Sequence, residues 1–310
     1  MHQHFLKILM KITIIINPIA GKRNHQSVKE AITILRSNGI IPEIRETSKR
    51  GDAYIFAQEE IKKCTEIVIA AGGDGTINEI ANGLVGSSVR LGVLPIGIAN
   101  VFSLETQIPS DPVLAMNVIL RGVPTRINVG NIRLKEVSSE REIKKHFLLM
   151  VGVGFDGGVV REIDRSIISK WGKAAYIFNG MRVVSKYTHS PLYIQIDKGK
   201  IVKGYSAVIG KAHYYGGRFS VTPHASLTDD SLDLCVFQSK GPWNMLKYVL
   251  GVLQMKHLTY TDVYYCKTKE IEVSSPDDVF VQADGDFFGR LPAYLSLKKD
   301  ALAVMVPTSD

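Results

Sequence analysis

The sequence predicts an α/β N-terminal domain built on a parallel sheet, followed by a mainly β C-terminal domain. Three observations predict it. The 310 residues suit about two domains at roughly 150 residues each. Up to about Pro124, short and almost wholly apolar runs alternate with stretches of helical spacing. Beyond it, strand-like pieces follow one another with turn residues between them.

MHQHFLKILMKITIIINPIA, at the start, is apolar enough to raise a secretory signal, but Lys11 interrupts the run and no small-residue cleavage site follows. Ile12–Ile16 therefore reads as a first buried strand. Val28, Ile32 and Leu35 recur at helical spacing, Glu43–Glu46 is a short strand, and 67–71 is a β-rich run ending in glycines. A helix over 78–85 and a strand over 91–94 follow, and Asp111-Pro112 opens a further helix with an N-cap and a first-turn proline. Apolar strands separated by helices imply a parallel sheet buried on both faces, with ligand loops at its carboxyl edge. The domains are placed at 11–124 and 125–307, the last strands being free to return toward the first domain. Strands of the second are expected at 125–134, 147–153, Leu192–Ile196, 202–209, 219–222, Leu232–Phe237, 263–266 and 271–273, with helices at 170–186 and 243–256.

Apolar residues at 45% and charged residues at 22% exclude a disordered chain or a fibrous repeat. A net charge of +8 favours anionic partners: nucleotides, acidic lipid surfaces or nucleic acid. Nucleic acid is disfavoured, because the charge is scattered and no recognition module is present. Cys64, Cys235 and Cys266 are far apart and form no metal spacing, which suits a reducing compartment. No window reaches the roughly 18 apolar residues of a membrane span, so contact with a bilayer would be peripheral. No zinc spacing and no G-x-S-x-G occur.

The chemistry is concentrated in loops. Gly72, Gly73, Asp74, Gly75, Thr76, Ile77 and Asn78 lie between a buried strand and a helix. Glycines there let backbone N–H groups approach an anion, and the helix adds its positive end, so a phosphate is the expected occupant. A purely structural strand-to-helix turn is the alternative. Two further loops follow strands: Asn17, Pro18, Ile19, Ala20 and Gly21, and then Gly97, Ile98, Ala99 and Asn100. Neither G-x-x-x-x-G-K-[ST] nor G-x-G-x-x-G is present.

In that order, N-P-x-x-G, GGDGTINE and P-x-G-x-x-N resemble the diacylglycerol kinase catalytic domain shared by bacterial lipid kinases and sphingosine kinases. The resemblance continues through Gly152 to Asp156, Thr222 to Ala225, Asp229 with Leu232-Asp233, and Gln282 to Asp286, and covers about 12–307. It implies an NAD kinase/diacylglycerol kinase-like α/β domain, a β-sandwich-like second domain and an active site in the cleft between them. The implied reaction moves the ATP γ-phosphoryl group to a lipid hydroxyl. By position, Asn17 to Gly21, Thr47, Gly72 to Asn78, Gly97 and Ile98 would surround ATP. Asp286 takes the place of the family's proton-accepting Glu and makes a candidate catalytic pair with Asp284 two residues before it, and Asp156 is a candidate on the substrate side. Ser226, Asp229 and Ser231 match a loop that holds Mg²⁺ or another divalent cation through one carboxylate and two carbonyls. An acidic turn without an ion is the alternative reading there. The partners implied are ATP and a lipid alcohol at the cytoplasmic membrane face; a homodimer is compatible with it.

Several positions depart from the family pattern. The family's D-G-E is Asp284-Gly285-Asp286 here, shorter by one methylene, about 1.5 Å. The third loop usually reads G-T-x-N-D, and this chain has Ile98 and Val101 in place of the hydroxyl and the acid. The glycine after the metal-binding Asp is Asp230. Three functions are therefore weighed: a lipid kinase, an NAD-kinase-type enzyme with a soluble acceptor, and a nucleotide- or lipid-binding protein with weakened catalysis. The apolar stretch around Trp243 reads as a buried helix or an interfacial segment.

Overall fold

The computed structural model of the protein describes residues 10–20, 25–135, 142–155, 157–158 and 190–308. Gly21, Asp156 and the expected helix at 170–186 lie outside the described residues. The chain divides into two compact units, Met1–Ile127 with Asp300–Asp310, and Asn128–Lys299.

The first unit contains β1 (Ile12–Ile16), α1 (His25–Ser37), β2 (Glu43–Glu46), α2 (Asp52–Lys62), β3 (Ile67–Gly72), α3 (Asp74–Leu84), β4 (Arg90–Pro95), α4 (Val101–Glu105) and α5 (Pro112–Arg121). The strands pair in parallel in the order β2-β1-β3-β4. Ile14, Ile69, Val93 and Leu94 are fully buried, as strands covered on both faces must be. Helix α1 packs on α5, and α2 on α3. Gly83 permits the second contact, because a Cβ there would lie 2.7 Å from that of Ala57. Asp111 caps α5 through the amides of Val113 and Leu114 at 2.8 and 3.0 Å. In this strand order the sense of winding reverses between the parallel strands β1 and β3, the switch point where open α/β sheets bind ligands.

The second unit is antiparallel. Its strands are β5 (Val123–Lys135, mostly in this unit), β6 (Glu142–Phe147), β7 (Met150–Gly154), β8 (Leu192–Ile196), β9 (Ile201–Gly204), β10 (Ser206–Gly210) and β11 (Leu232–Phe237). Helix α6 (Pro242–Leu253) precedes β12 (Val263–Thr268), β13 (Glu270–Ser274), β14 (Phe280–Ala283), β15 (Asp286–Arg290) and β16 (Ala293–Val306). One sheet runs β12-β11-β10-β7-β14-β15, and β13 pairs with β8 and β16 in the other. Ile132, Phe147, Val151, Ile209, Leu234, Ile271 and Leu295 belong to one core drawn from both sheets, as a sandwich requires. The far end of β16 belongs to the first unit, where Ala303 and Val304 pair in parallel with Arg90 and Leu91.

Several boundaries differ from the sequence expectation. Residues 202–209 form two strands, because the chain changes sheets at Tyr205: β9 pairs with β8, and β10 with β7 and β11. The 219–222 run makes only the bridge Tyr215–Phe219; its burial comes from packing, with Thr222 against Gly210. Helix α3 begins at Asp74, so the glycine-rich motif supplies its first turn.

Candidate active site

Four chain segments meet at the carboxyl edge of the first sheet. The Asn17 amide donates to Ala71 O at 2.9 Å, and that of Thr47 to Ile16 O at 2.9 Å. The Asn17 side chain donates to Thr76 Oγ1 at 3.1 Å and accepts from the amides of Ile19 and Ala20 at 3.1 and 3.4 Å. One asparagine thus shapes its own loop and fastens it to the first turn of α3. The third loop is bound as tightly. A Cβ on Gly97 would stand 2.5 Å from Gly73 Cα, so the two loops touch backbone to backbone. Asn100, in a left-handed conformation, accepts from Gly97 N at 3.0 Å, and Asp74 accepts from Phe102 N at 3.0 Å.

The chemical character of this edge follows from α3. The first-turn amides of a helix have no intrahelical acceptor, and Asp74, Gly75 and Thr76 supply them here. A Cβ on Gly75 would meet nothing within 4 Å, whereas one on Gly72 would lie 2.4 Å from Thr76 Cβ. Gly72 is small for packing; Gly75 opens onto free space. Of the expected residues, Ile77 is fully buried and its amide donates to Gly73 O at 3.0 Å, and Asn78 is 6% exposed. Ile19 and Ile98 are exposed. Two carboxylates to which the sequence reading gave no role act here: Asp52 takes the amides of Ser48 and Lys49, and Glu79, the end of the GGDGTINE motif, takes the amide of Gly51 at 3.0 Å. Together they shape the loop that carries Thr47.

In the second unit the Asp-Gly pair forms a hairpin turn. Asp284 and Gly285 both have positive φ, 49° and 79°, the geometry that joins β14 to β15 in two residues. The Asp284 carboxylate accepts from the amides of Leu148 at 2.7 Å and of Leu149 and Met150 at 2.9 Å. Burial pushes this carboxyl above its ordinary range, while those amides and Lys145 pull it down. Both oxygens are engaged, so Asp284 holds the β6–β7 turn. Asp286 opens β15 beside it, with Lys145 Nζ 3.9 Å from its carboxylate.

The 226–231 loop departs from expectation. Its carbonyls converge as a cation loop's should, but on a side chain. Lys211 Nζ donates to Ser226 O and Asp229 O at 2.5 Å and to Ser231 O at 3.3 Å. Asn128 donates to Thr228 O at 3.1 Å and Asp229 O at 3.0 Å, and the Asp229 carboxylate pairs with Lys267. Lys211 is wholly buried. Burial pushes its ammonium down to about 8, against the charges of Asp229, Asp233 and Asp230. The residues assigned to a divalent cation thus already hold a lysine and do not fit a second charge at the same point. Among the described residues no cluster of three His, Cys, Asp or Glu side chains is arranged to hold a metal.

A family model of the diacylglycerol kinase catalytic domain matches residues 11–132, and one of the YegS C-terminal NAD kinase beta sandwich-like domain matches residues 149–306. The chain belongs to the diacylglycerol kinase catalytic-domain family. Among this family's curated members, a diacylglycerol kinase of Staphylococcus aureus is 28% identical over 292 residues, covering 92% of this chain and 89% of its own. One of Staphylococcus carnosus is 27% identical over 296 residues, covering 92% of each chain. The crystal structure of a Bacillus anthracis diacylglycerol kinase superposes with a TM-score of 0.76 at 24% identity, over 96% of this chain and 97% of that one. Yeast NADH kinase, solved with NADH, superposes with a TM-score of 0.59 at 12% identity, over 98% and 85%. The family's fold is therefore the one described above: an α/β domain with a parallel sheet and an antiparallel β sandwich.

Proposed function

We propose that the protein is an ATP-dependent lipid kinase that transfers the γ-phosphoryl group to a lipid hydroxyl such as that of diacylglycerol. The observation that carries this reading is the helix start at Asp74, bound to the Asn17 loop through Thr76 and to the Gly97 loop by direct backbone contact. Amides aimed from a fixed helix terminus hold an anion without rearrangement. Asn17 to Gly21, Thr47, Gly72 to Asn78, Gly97 and Ile98 are assigned to the nucleotide. Mg²⁺ or another divalent cation carried on the nucleotide phosphates supplies charge neutralisation.

Asp286 is assigned the proton of the attacking lipid hydroxyl, as that oxygen bonds to the γ-phosphorus and ADP leaves. Asp284 acts through it: with both oxygens on backbone amides, it fixes the turn from which Asp286 projects. The bilayer contact of such an enzyme is peripheral, since no helix among the described residues is long and apolar enough to cross a membrane. Helix α6 supports that contact, with Trp243, Leu250 and Leu253 exposed on one face.

The test incubates the purified chain with γ-labelled ATP and diacylglycerol, sphingoid and polyprenol acceptors. Label is expected in an organic-phase product, and Asp286→Asn should lower kcat about 1,000-fold with the ATP KM little changed. Label that stays in the aqueous phase on a nucleotide acceptor overturns the lipid assignment in favour of an NAD-kinase-type reaction. No turnover with any acceptor leaves the binding-protein reading standing instead.

A further inference from the structure

We propose that the Lys211 ammonium is the resident cation of the 226–231 loop, standing where the family resemblance expects a divalent metal, so that this loop folds without a metal ion. The two carbonyls assigned to the ion, those of Ser226 and Ser231, are the ones that Lys211 Nζ bonds, and Asp229 O is the third. An ammonium has three donors, and three acceptors receive them. The two 2.5 Å contacts fall in the range of Ca²⁺ to oxygen, so ammonium and ion compete for one position. The carboxylate that would complete an ion's shell is turned to Lys267. Asn128 fixes the loop from a second side through Leu227 O at 2.8 Å, Thr228 O and Asp229 O, so the cage is built from protein donors throughout.

The exchange has a stated consequence: with the ammonium removed, the same carbonyls and Asp229 become a vacant oxygen cage suited to a hard divalent ion. The full chain is stripped of metal with chelator and melted with no nucleotide present, alone and with Ca²⁺ or Mg²⁺, ionic strength being matched with KCl. For the wild type, any shift caused by either ion is expected to match that of Asp229→Asn within about 1 °C, because Asp229 serves no metal. Lys211→Asn should melt about 5–10 °C lower when stripped and regain about 5 °C with Ca²⁺ but not with KCl. The double variant Lys211→Asn/Asp229→Asn should regain none of it. A wild-type shift that Asp229→Asn abolishes overturns the proposal, as does a folded Lys211→Asn that ignores both ions. If Lys211→Asn folds in neither condition, the pair of wild type and Asp229→Asn still decides, since the Asp229 side chain is 36% exposed and paired only at its outer end with Lys267. No turnover is measured, so the outcome is independent of the phosphoryl-transfer reading.

Discussion

Both units bury a charged side chain completely, Glu60 in the first and Lys211 in the second, and surround it with its complement, but they do so by different means. In the first, Glu60 accepts from the hydroxyls of Thr13 and Thr65 at 2.6 and 2.7 Å, from Lys63 at 2.8 Å and from Arg45 at 3.3 Å. In the second, Lys211 donates to the main chain of a single loop. A buried charge needs saturated hydrogen bonding, and either side chains or backbone can supply it. Side-chain partners leave a trace in residue identities. Backbone partners leave none, which is why a loop that looks built for a metal conceals a lysine.

Acid unfolding reads the buried carboxylate of the first unit. Burial raises the Glu60 carboxyl, but hydrogen bonds from Lys63, Thr13 and Thr65 outweigh it and bring it down to about 2. A group whose folded value is depressed stabilises above its unfolded value and loses that contribution as pH falls. Stability should therefore drop by up to about 3 kcal/mol between roughly pH 4.5 and 2, and Glu60→Gln should flatten that stretch of a urea-melt series. An unchanged slope in the variant would break the parallel between the two buried charges.

A smaller effect separates the glycines of the α3 turn. Gly75→Ala adds a methyl where the protein has nothing within 4 Å, at a helical position, so stability should rise by about 0.5–1 kcal/mol while the Kd for ATP rises about tenfold. Isothermal titration beside thermal melts reads both. Unchanged ATP affinity would place the phosphates away from this helix end. Smallest is Ile98→Thr, which puts a hydroxyl on an exposed loop position and should raise kcat/KM about fivefold, one neutral hydrogen bond's worth. No gain would mean that the loop serves through its backbone alone.

What was legible follows the same division between side chain and backbone. Ile12–Ile16 announced a doubly covered strand because four isoleucines around a single threonine leave no charged face. The loops after β1, β3 and β4 were legible for the same reason, since glycines and an asparagine are needed for close approach. Helix α2 escaped notice because its buried side is Ala53, Ala57 and Glu60, which gives no apolar stripe. Asp284 and Asp286 stand out in the sequence as a candidate pair, but the bonds of the Asp284 carboxylate run to backbone 134–136 residues earlier in the chain, a distance no local pattern records. The cage around Lys211 was hidden by the same kind of remoteness.

The return of β16 to the first sheet has a consequence for how the chain is made. Until Ala303 and Val304 emerge from the ribosome, β4 has no neighbour on that side, and Gly86 N lacks the carbonyl of Ala301 that accepts it at 2.7 Å. At about 5–20 residues per second the nascent protein carries that naked strand border for some ten to forty seconds. The glycine-lined half thus matures last although it is translated first, and a fragment cut after residue 127 would present a sticky margin to its own copies.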